Sequence, residues 1–224
     1  MQLTPIAHFH SPFTSKFGIP RQSGMTRVEG RIVFEPDFRN ADALRGLDGF
    51  DYVWLIWEFS ENVGAKKSPT VRPPILGGNE RLGVWATRSP FRPNNLGLSC
   101  VRLLGIDLRT PDGPVIRVEG ADLMDGTPIF DIKPYVPHAD CHPDARSGFA
   151  DPTGWQRLQV VIPDEVLAAA PYPAAQMDAL REALALDPRP HYHDDPGRVY
   201  GFPFAGHDVK FQVAEGKLTV LSFA

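Results

Sequence analysis

Proline and glycine interrupt this chain so often that a long unbroken helix has little room: 23 prolines and 20 glycines are spread through 224 residues. Proline fixes φ and withholds an amide donor, while glycine frees φ, so both divide regular structure into short pieces joined by turns. Such a chain favours strands, and its first half reads that way. Residues 30–35 and 51–59 are rich in aromatic and β-branched side chains. The second run is apolar without a break in its middle, which predicts a central strand covered on both faces. Residues 81–87, 99–107, 115–120 and 128–132 continue the series, and only 40–47, with Ala41, Ala43 and Leu44, looks helical. Many short strands with turn signals between them predict a mainly β fold, a closed barrel or a sandwich.

Residues 136–154 break this rhythm with Pro137, Pro143, Ser147, Gly148, Pro152 and Gly154. We place the linker at 141–154, between an amino-terminal β unit at 1–140 and a smaller α+β unit at 155–224. The second unit should hold a strand at 156–162, a short helix after Pro163-Asp164 and a clearer helix at 174–186. That helix sets Met177, Leu180 and Leu184 on one face, as core packing requires. Strands follow at 198–204, 208–214 and 217–223, with Glu215-Gly216 as a hairpin turn between the last two.

Charge narrows the function classes. The net charge is −4, but residues 1–106 carry 13 Lys/Arg against 9 Asp/Glu, whereas 107–224 carry 10 against 18. A protein that grips nucleic acid indiscriminately is usually basic throughout; one with this balance reads a local shape through a small basic face. No run approaches the roughly 20 apolar residues of a spanning helix. Residues 1–20 lack the basic start and apolar stretch of a signal peptide, so a cytoplasmic protein is expected. Cys100, in an apolar run, reads as a buried free thiol, and Cys141 lies in a different context.

The basic face has an evident position. From 66 to 102 there are seven Lys/Arg and one acid, Glu80. Within it, residues 72–79 and 86–97 pack Arg, Pro, Gly and Asn densely. Guanidinium groups at Arg72, Arg81, Arg88 and Arg92 sit on a stiffened, sharply bent backbone, which suits a carboxylate or phosphate ligand. No strand–Gly-rich turn–helix context or Walker loop is present, so a nucleotide-like cofactor would need a non-Rossmann pocket. His138, Cys141 and His142 form one histidine-rich cluster and His191, His193, Asp194 and Asp195 another. Neither supplies a four-ligand zinc pattern, and no metal is expected. A Ser-His-Asp hydrolase is disfavoured because no Gly-x-Ser-x-Gly elbow occurs.

Several motifs resemble the TrmO (TsaA-like) tRNA methyltransferases: Thr70-Val71-Arg72-Pro73-Pro74, Ala86-Thr87-Arg88-Ser89-Pro90-Phe91-Arg92-Pro93-Asn94 and Asp125-Gly126-Thr127-Pro128-Ile129-Phe130-Asp131-Ile132-Lys133-Pro134-Tyr135. Ser11-Pro12-Phe13 through Pro20-Arg21-Gln22-Ser23-Gly24 fits near the amino end, and Asp187-Pro188-Arg189-Pro190 fits the carboxy-terminal part. The resemblance implies a small antiparallel β-barrel whose loops hold S-adenosyl-L-methionine, with two subunits contributing to the site. Carried onto this chain, it implies cofactor contacts from Pro20, Arg21, Gln22, Ser23 and Gly24, with Gln22 bonding the methionine part or the adenine edge. Ser60 and Glu61 would be a second contact, Glu61 suiting ribose hydroxyls. Arg88 would meet the cofactor carboxylate, Leu98 would pack an apolar part, and Asp125, Gly126, Thr127 and Pro128 would close the site near adenine. Read alone, the last four are simply a good turn, and Arg88 a surface cation.

On the substrate side the candidates are Arg92, Asn94, Lys133, Tyr135, Asp187 and Arg189. Arg92 and Lys133 would neutralise phosphates. Tyr135 would either stack on a splayed base or fill the barrel end. The implied reaction is methylation of N6 of threonylcarbamoyladenosine beside the anticodon of threonine tRNA, by a homodimer, with no catalytic base assigned. The competing class is a non-catalytic barrel that binds S-adenosylmethionine or RNA.

Overall fold

The computed structural model describes residues 2–150, 157–189 and 195–224, and in it two separate hydrophobic cores organise the chain. The first lies inside a barrel. Its strands are β1 (Ala7–His10), β2 (Glu29–Phe34), β3 (Tyr52–Glu58), β6 (Leu96–Thr110), β7 (Gly113–Glu119) and β8 (Thr127–Pro134), with β4 (Thr70–Val71) and β5 (Leu82–Gly83) pairing in the long excursion between β3 and β6. The closed order is β1-β2-β7-β6-β3-β8, antiparallel at every junction. The expectation of a small antiparallel barrel therefore holds.

Side-chain alternation supplies the interior. On β3, Val53, Leu55 and Trp57 point inward and are buried, while Tyr52, Trp54 and Ile56 lie on the outer face. This corrects the reading of 51–59 as a strand covered on both faces. A barrel buries one face only, and the outer apolar row remains half-exposed. Gly97 on β6 lets Trp57 fit, because a Cβ there would stand 2.3 Å from the indole ring.

Two other expectations change. Residues 81–87 contribute only the two-residue β5 and a 3-10 turn, Val84–Ala86. Their partner β4 is flanked by Pro69 and Pro73-Pro74, which cannot donate to a ladder, so pairing stops after two residues. Residues 40–47 form 3-10 turns, Ala41–Leu44 and Leu47–Gly49, rather than one helix. Gly46, at φ +86°, breaks the run between them. β1, which the sequence reading did not include, is only four residues long.

The second core lies between a four-stranded sheet and helices. Its strands are β9 (Gln159–Val161), β10 (Tyr200–Phe204), β11 (His207–Ala214) and β12 (Lys217–Phe223), in the order β10-β11-β12-β9 with β9 parallel to β12. α1 (Pro137–Asp140) follows the barrel, and α2 (Asp164–Ala168) and α3 (Ala174–Ala185) accompany the sheet. α3 buries Met177, Leu180 and Leu184 as its spacing predicts, with Ala179 and Ala183 beside them. Glu215 and Gly216, both at positive φ, make the tight turn between β11 and β12.

The cores are joined by the segment between β1 and β2. Phe13 and Val28 leave the barrel and pack in the second core. Phe13 bridges Phe204 in antiparallel fashion, and Pro12 O accepts from Ala205 N at 2.8 Å. Gly18, at φ +94°, lies flat on the Phe202 ring, where a Cβ would come within 2.5 Å. Glu182 on α3 closes the arrangement by accepting from the Arg27 amide and guanidinium, both at 2.6 Å. Residues 20–24 are thus held between two cores.

Candidate functional site

The basic loop after β5 is stiff because it bonds to itself. Thr87 Oγ1 donates to Val84 O, Ser89 N to Thr87 Oγ1, and Phe91 N to Ser89 Oγ. Arg92 Nη1 donates to Thr87 O at 3.1 Å and Ser89 O at 3.2 Å, and its guanidinium lies 5.8 Å from the Trp85 ring centre. Arg92 therefore braces the loop with the fork expected to meet phosphate. Asn94 is exposed on the same loop.

That frame presents Arg88, whose Nη1 donates to Gln22 Oε1 at 2.7 Å across 66 positions of sequence. The docked segment and the basic loop meet at this bond. Beside it stands Asp122, which the sequence reading missed. Ser99 Oγ, on β6, donates to Asp122 Oδ1 at 2.5 Å and accepts from Trp57 Nε1 at 3.0 Å. An indole N–H only donates, which leaves the serine proton free to go to the carboxyl oxygen. Burial pushes the Asp122 carboxyl above its usual range, while the Ser99 bond, the nearby Arg88 charge and the Ser23 N–H pull the other way. The detectable sequence signal was an acid two residues beyond Gly120, before the Asp125 turn. Its partner Ser99 is 23 positions away, and nothing local announces the pair.

The other cofactor candidates surround this centre unevenly. Pro20 is buried. Arg21 is half-buried and donates to Asp187 O at 3.3 Å; desolvation lowers its pKa and Asp187 partly restores it. Gly24 N bonds Gly120 O, which ties the segment to the stretch carrying Asp122. Ser60 and Glu61 lie in a 3-10 turn, Ser60–Asn62, to which Lys16 Nζ is bonded through Glu61 O at 3.0 Å and Asn62 Oδ1 at 3.1 Å. Leu98 is 56% exposed on the outer face of β6, opposite Ile56.

Asp125, Gly126 and Thr127 form a turn, with Gly126 at φ +76°, and Pro128 is paired in β8 against His8. The Asp125 carboxylate accepts from Ser11 N at 3.0 Å and meets His10 Nδ1 at 3.2 Å; the Thr127 hydroxyl is buried and donates to Met124 O. These side chains are engaged within the fold, so what the turn offers a ligand is backbone.

On the substrate side, Lys133 is exposed and paired with Asp131 at 2.9 Å. Tyr135 lies against Tyr52 and Trp54, at centroid separations of 6.1 and 6.0 Å, in a half-exposed aromatic platform. Val136 N and Trp54 Nε1 donate to Asp140, holding that carboxyl below its usual range. Arg189 grips Asp187 through two bonds of 2.8 and 2.9 Å, in the same place where Asp187 O receives Arg21. Cys100 is half-buried, and burial raises its thiol pKa. His191, His193 and Asp194 lie outside the described residues. Among those described, no three metal-ligating side chains cluster and no helix is long and apolar enough to cross a membrane.

A closed β-barrel that gathers an arginine, an amide and a buried carboxyl at loops defines a ligand-binding barrel of non-Rossmann type. The chain belongs to the TrmO family: the model of the tRNA-methyltransferase O N-terminal domain matches residues 8–141, and that of the TrmO C-terminal domain matches 155–224. It is 36% identical to the tRNA (adenine(37)-N6)-methyltransferase of Escherichia coli, over 99% of this chain and 97% of that protein. A Pyrococcus abyssi protein named "Probable S-adenosyl-L-methionine-binding protein" is 35% identical over 66% of this chain and 74% of its own length. The crystal structure of TrmO from Pseudomonas aeruginosa superposes with a TM-score of 0.77 at 33% identity, covering 100% of this chain and 98% of that one.

Proposed function

We propose that this chain is an S-adenosylmethionine-dependent methyltransferase acting on N6 of adenine 37 in tRNA. We further propose that its acceptor is the threonylcarbamoylated adenosine of threonine tRNA. The observation that carries the reading is the Arg88–Gln22 bond beside Asp122, set in a chain whose full-length relative bears that activity in its name. The donor set fits the cofactor. Arg88 has a neutral amide as its bonded partner and so keeps its charge available for a carboxylate. Gln22 can bond polar edges, and Leu98 exposes an apolar side chain outside β6.

When bound, the cofactor supplies an electrophilic methyl group on sulfur. The protein's part is alignment: reacting atoms must be held within about 3–3.5 Å and in line. The stiff 87–95 loop fixes Arg88, and the two cores fix Gln22 and Ser23. Tyr135, on its platform with Tyr52 and Trp54, is available to stack on a splayed base. Lys133 and Asn94 face solvent for backbone contact, and the Asp187–Arg189 pair sits against Arg21 to shape the entrance. The N6 proton must leave but need not do so before attack, so no residue is assigned as base. Exposed Trp85, Phe91 and Leu98 near Arg88 in the chain support a second copy covering the site. We place the homodimer in the cytoplasm, where its tRNA is.

The test is transfer of labelled methyl from S-adenosylmethionine to tRNA purified from a strain lacking this protein, followed by mass spectrometry of the nucleosides. Methylated threonylcarbamoyladenosine is expected. Cofactor binding with no transfer to any tRNA would replace this reading with a non-catalytic binding barrel.

A further inference from the structure

The Arg88 cation favours the ionised form of the Asp122 carboxyl, yet no direct ion pair joins them among the described residues. A buried carboxyl is normally neutralised by a cation in contact. This one is held at hydrogen-bond distance by one neutral donor, the Ser99 hydroxyl, with the backbone N–H groups of Asp122 and Ser23 favouring its charge, and burial works against that charge. A carboxylate has about four lone-pair positions, and this donor leaves capacity on the oxygens. Arg88 is likewise held by a neutral amide. A fork and a carboxyl that interact through their charges without pairing are complementary to a ligand that carries a cation and an anion on one carbon.

We propose that Asp122 is the receptor for the α-ammonium of an amino-acid zwitterion whose carboxylate is taken by Arg88. The inference rests on the cofactor reading above and deepens it by naming a ligand contact and a basis of specificity. Arg88 alone would accept any carboxylate or phosphate. Asp122 beside it repels the second and third charges of a nucleoside polyphosphate and rewards a neighbouring cation. The pair therefore selects an adenosine bearing an amino acid over adenosine phosphates, which are far more abundant in cells.

The geometry that supports this is fixed from behind. Trp57 sets the direction of the Ser99 hydroxyl, Ser99 holds one Asp122 oxygen, and Gly97 leaves the room Trp57 needs. The Ser23 N–H favours the Asp122 charge, and Gly24 N bonds Gly120 O at 2.8 Å, so the Gln22 loop is tied to the stretch that carries Asp122.

The experiment measures calorimetric binding of two ligands, S-adenosylhomocysteine and its deamino analogue, identical except for loss of the α-amino group. The full-length wild type should prefer S-adenosylhomocysteine roughly 10- to 100-fold, the range of one hydrogen bond to a charged group. Asp122→Asn should bring the two affinities together by weakening S-adenosylhomocysteine alone. Equal binding of both ligands by the wild type overturns the proposal without any variant, whether or not Asp122→Asn folds. An Asp122→Asn protein that keeps the preference, or loses both ligands equally, also overturns it. If the wild type binds neither ligand, the cofactor reading itself falls, a result distinct from equal binding.

Discussion

Asp122 and Arg88 show how differently two charged residues reveal themselves. Arg88 was legible because proline, serine and asparagine around it describe a rigid loop, and a rigid cation implies an anion. Asp122 was not, because its meaning comes from Ser99 and Trp57, brought to it by strand pairing. Arg88→Ala should weaken S-adenosylhomocysteine binding by about 1.5–3 kcal/mol, measured by calorimetry, with an unchanged melting curve because the side chain is exposed. Tyr172 gives a residue-scale prediction in the second core. Its hydroxyl donates to Phe204 O at 2.9 Å, and burial, with Asp208 nearby, pushes its pKa to about 12. The unfolded phenol ionises near 10. The stability tied to this hydroxyl is complete below that value and declines as pH rises from about 10 towards 12. Tyr172→Phe should flatten this alkaline loss in denaturant titrations, at a cost near neutrality of about 1 kcal/mol.

Among elements, those with clear periodicity were readable. α3 and the β11–β12 hairpin lie where their patterns place them, because local spacing alone orients them. β3 was located but its environment misjudged: a continuous apolar run cannot tell a doubly covered strand from a barrel strand with an apolar outer row. β5 was overextended because its length depends on its partner, and the prolines around β4 cut that short. Gly97→Ala tests the joint between element and site. A methyl 2.3 Å from Trp57 forces the indole aside, costing about 1–3 kcal/mol by overpacking. The displaced indole loosens the Ser99 bond, so cofactor affinity should fall more than it does for a Gly97-remote variant of equal stability loss. Equal falls in both would disconnect Trp57 from the site.

For the whole molecule, the decisive feature is residues 11–28, which belong to the barrel in sequence but pack Phe13 and Val28 in the second core. A carboxy-terminal unit serving only as an RNA contact would leave cofactor binding intact when removed. With the segment docked as it is, deletion of 155–224 strips Phe13, Gly18 and Arg27 of their partners. The Gln22 loop should lose its order, and S-adenosylhomocysteine binding should drop along with tRNA methylation, as calorimetry on the truncated barrel would show. Binding at wild-type strength would mean that the barrel alone orders the loop. Lys133→Ala should lessen the salt dependence of tRNA binding by about one unit of slope, as loss of one phosphate contact predicts. By itself the sequence determined the β-rich class, the placement of the helices after residue 160, the basic loop and the family, because turn residues, side-chain periodicity and ordered motifs are local properties. The tertiary structure alone decided which strands close the barrel, that the Gln22 segment is clamped by both cores, and that a buried aspartate lies within reach of the Arg88 charge. Each of those depends on contacts between residues tens to more than a hundred positions apart, whose partners only the folded chain brings within reach.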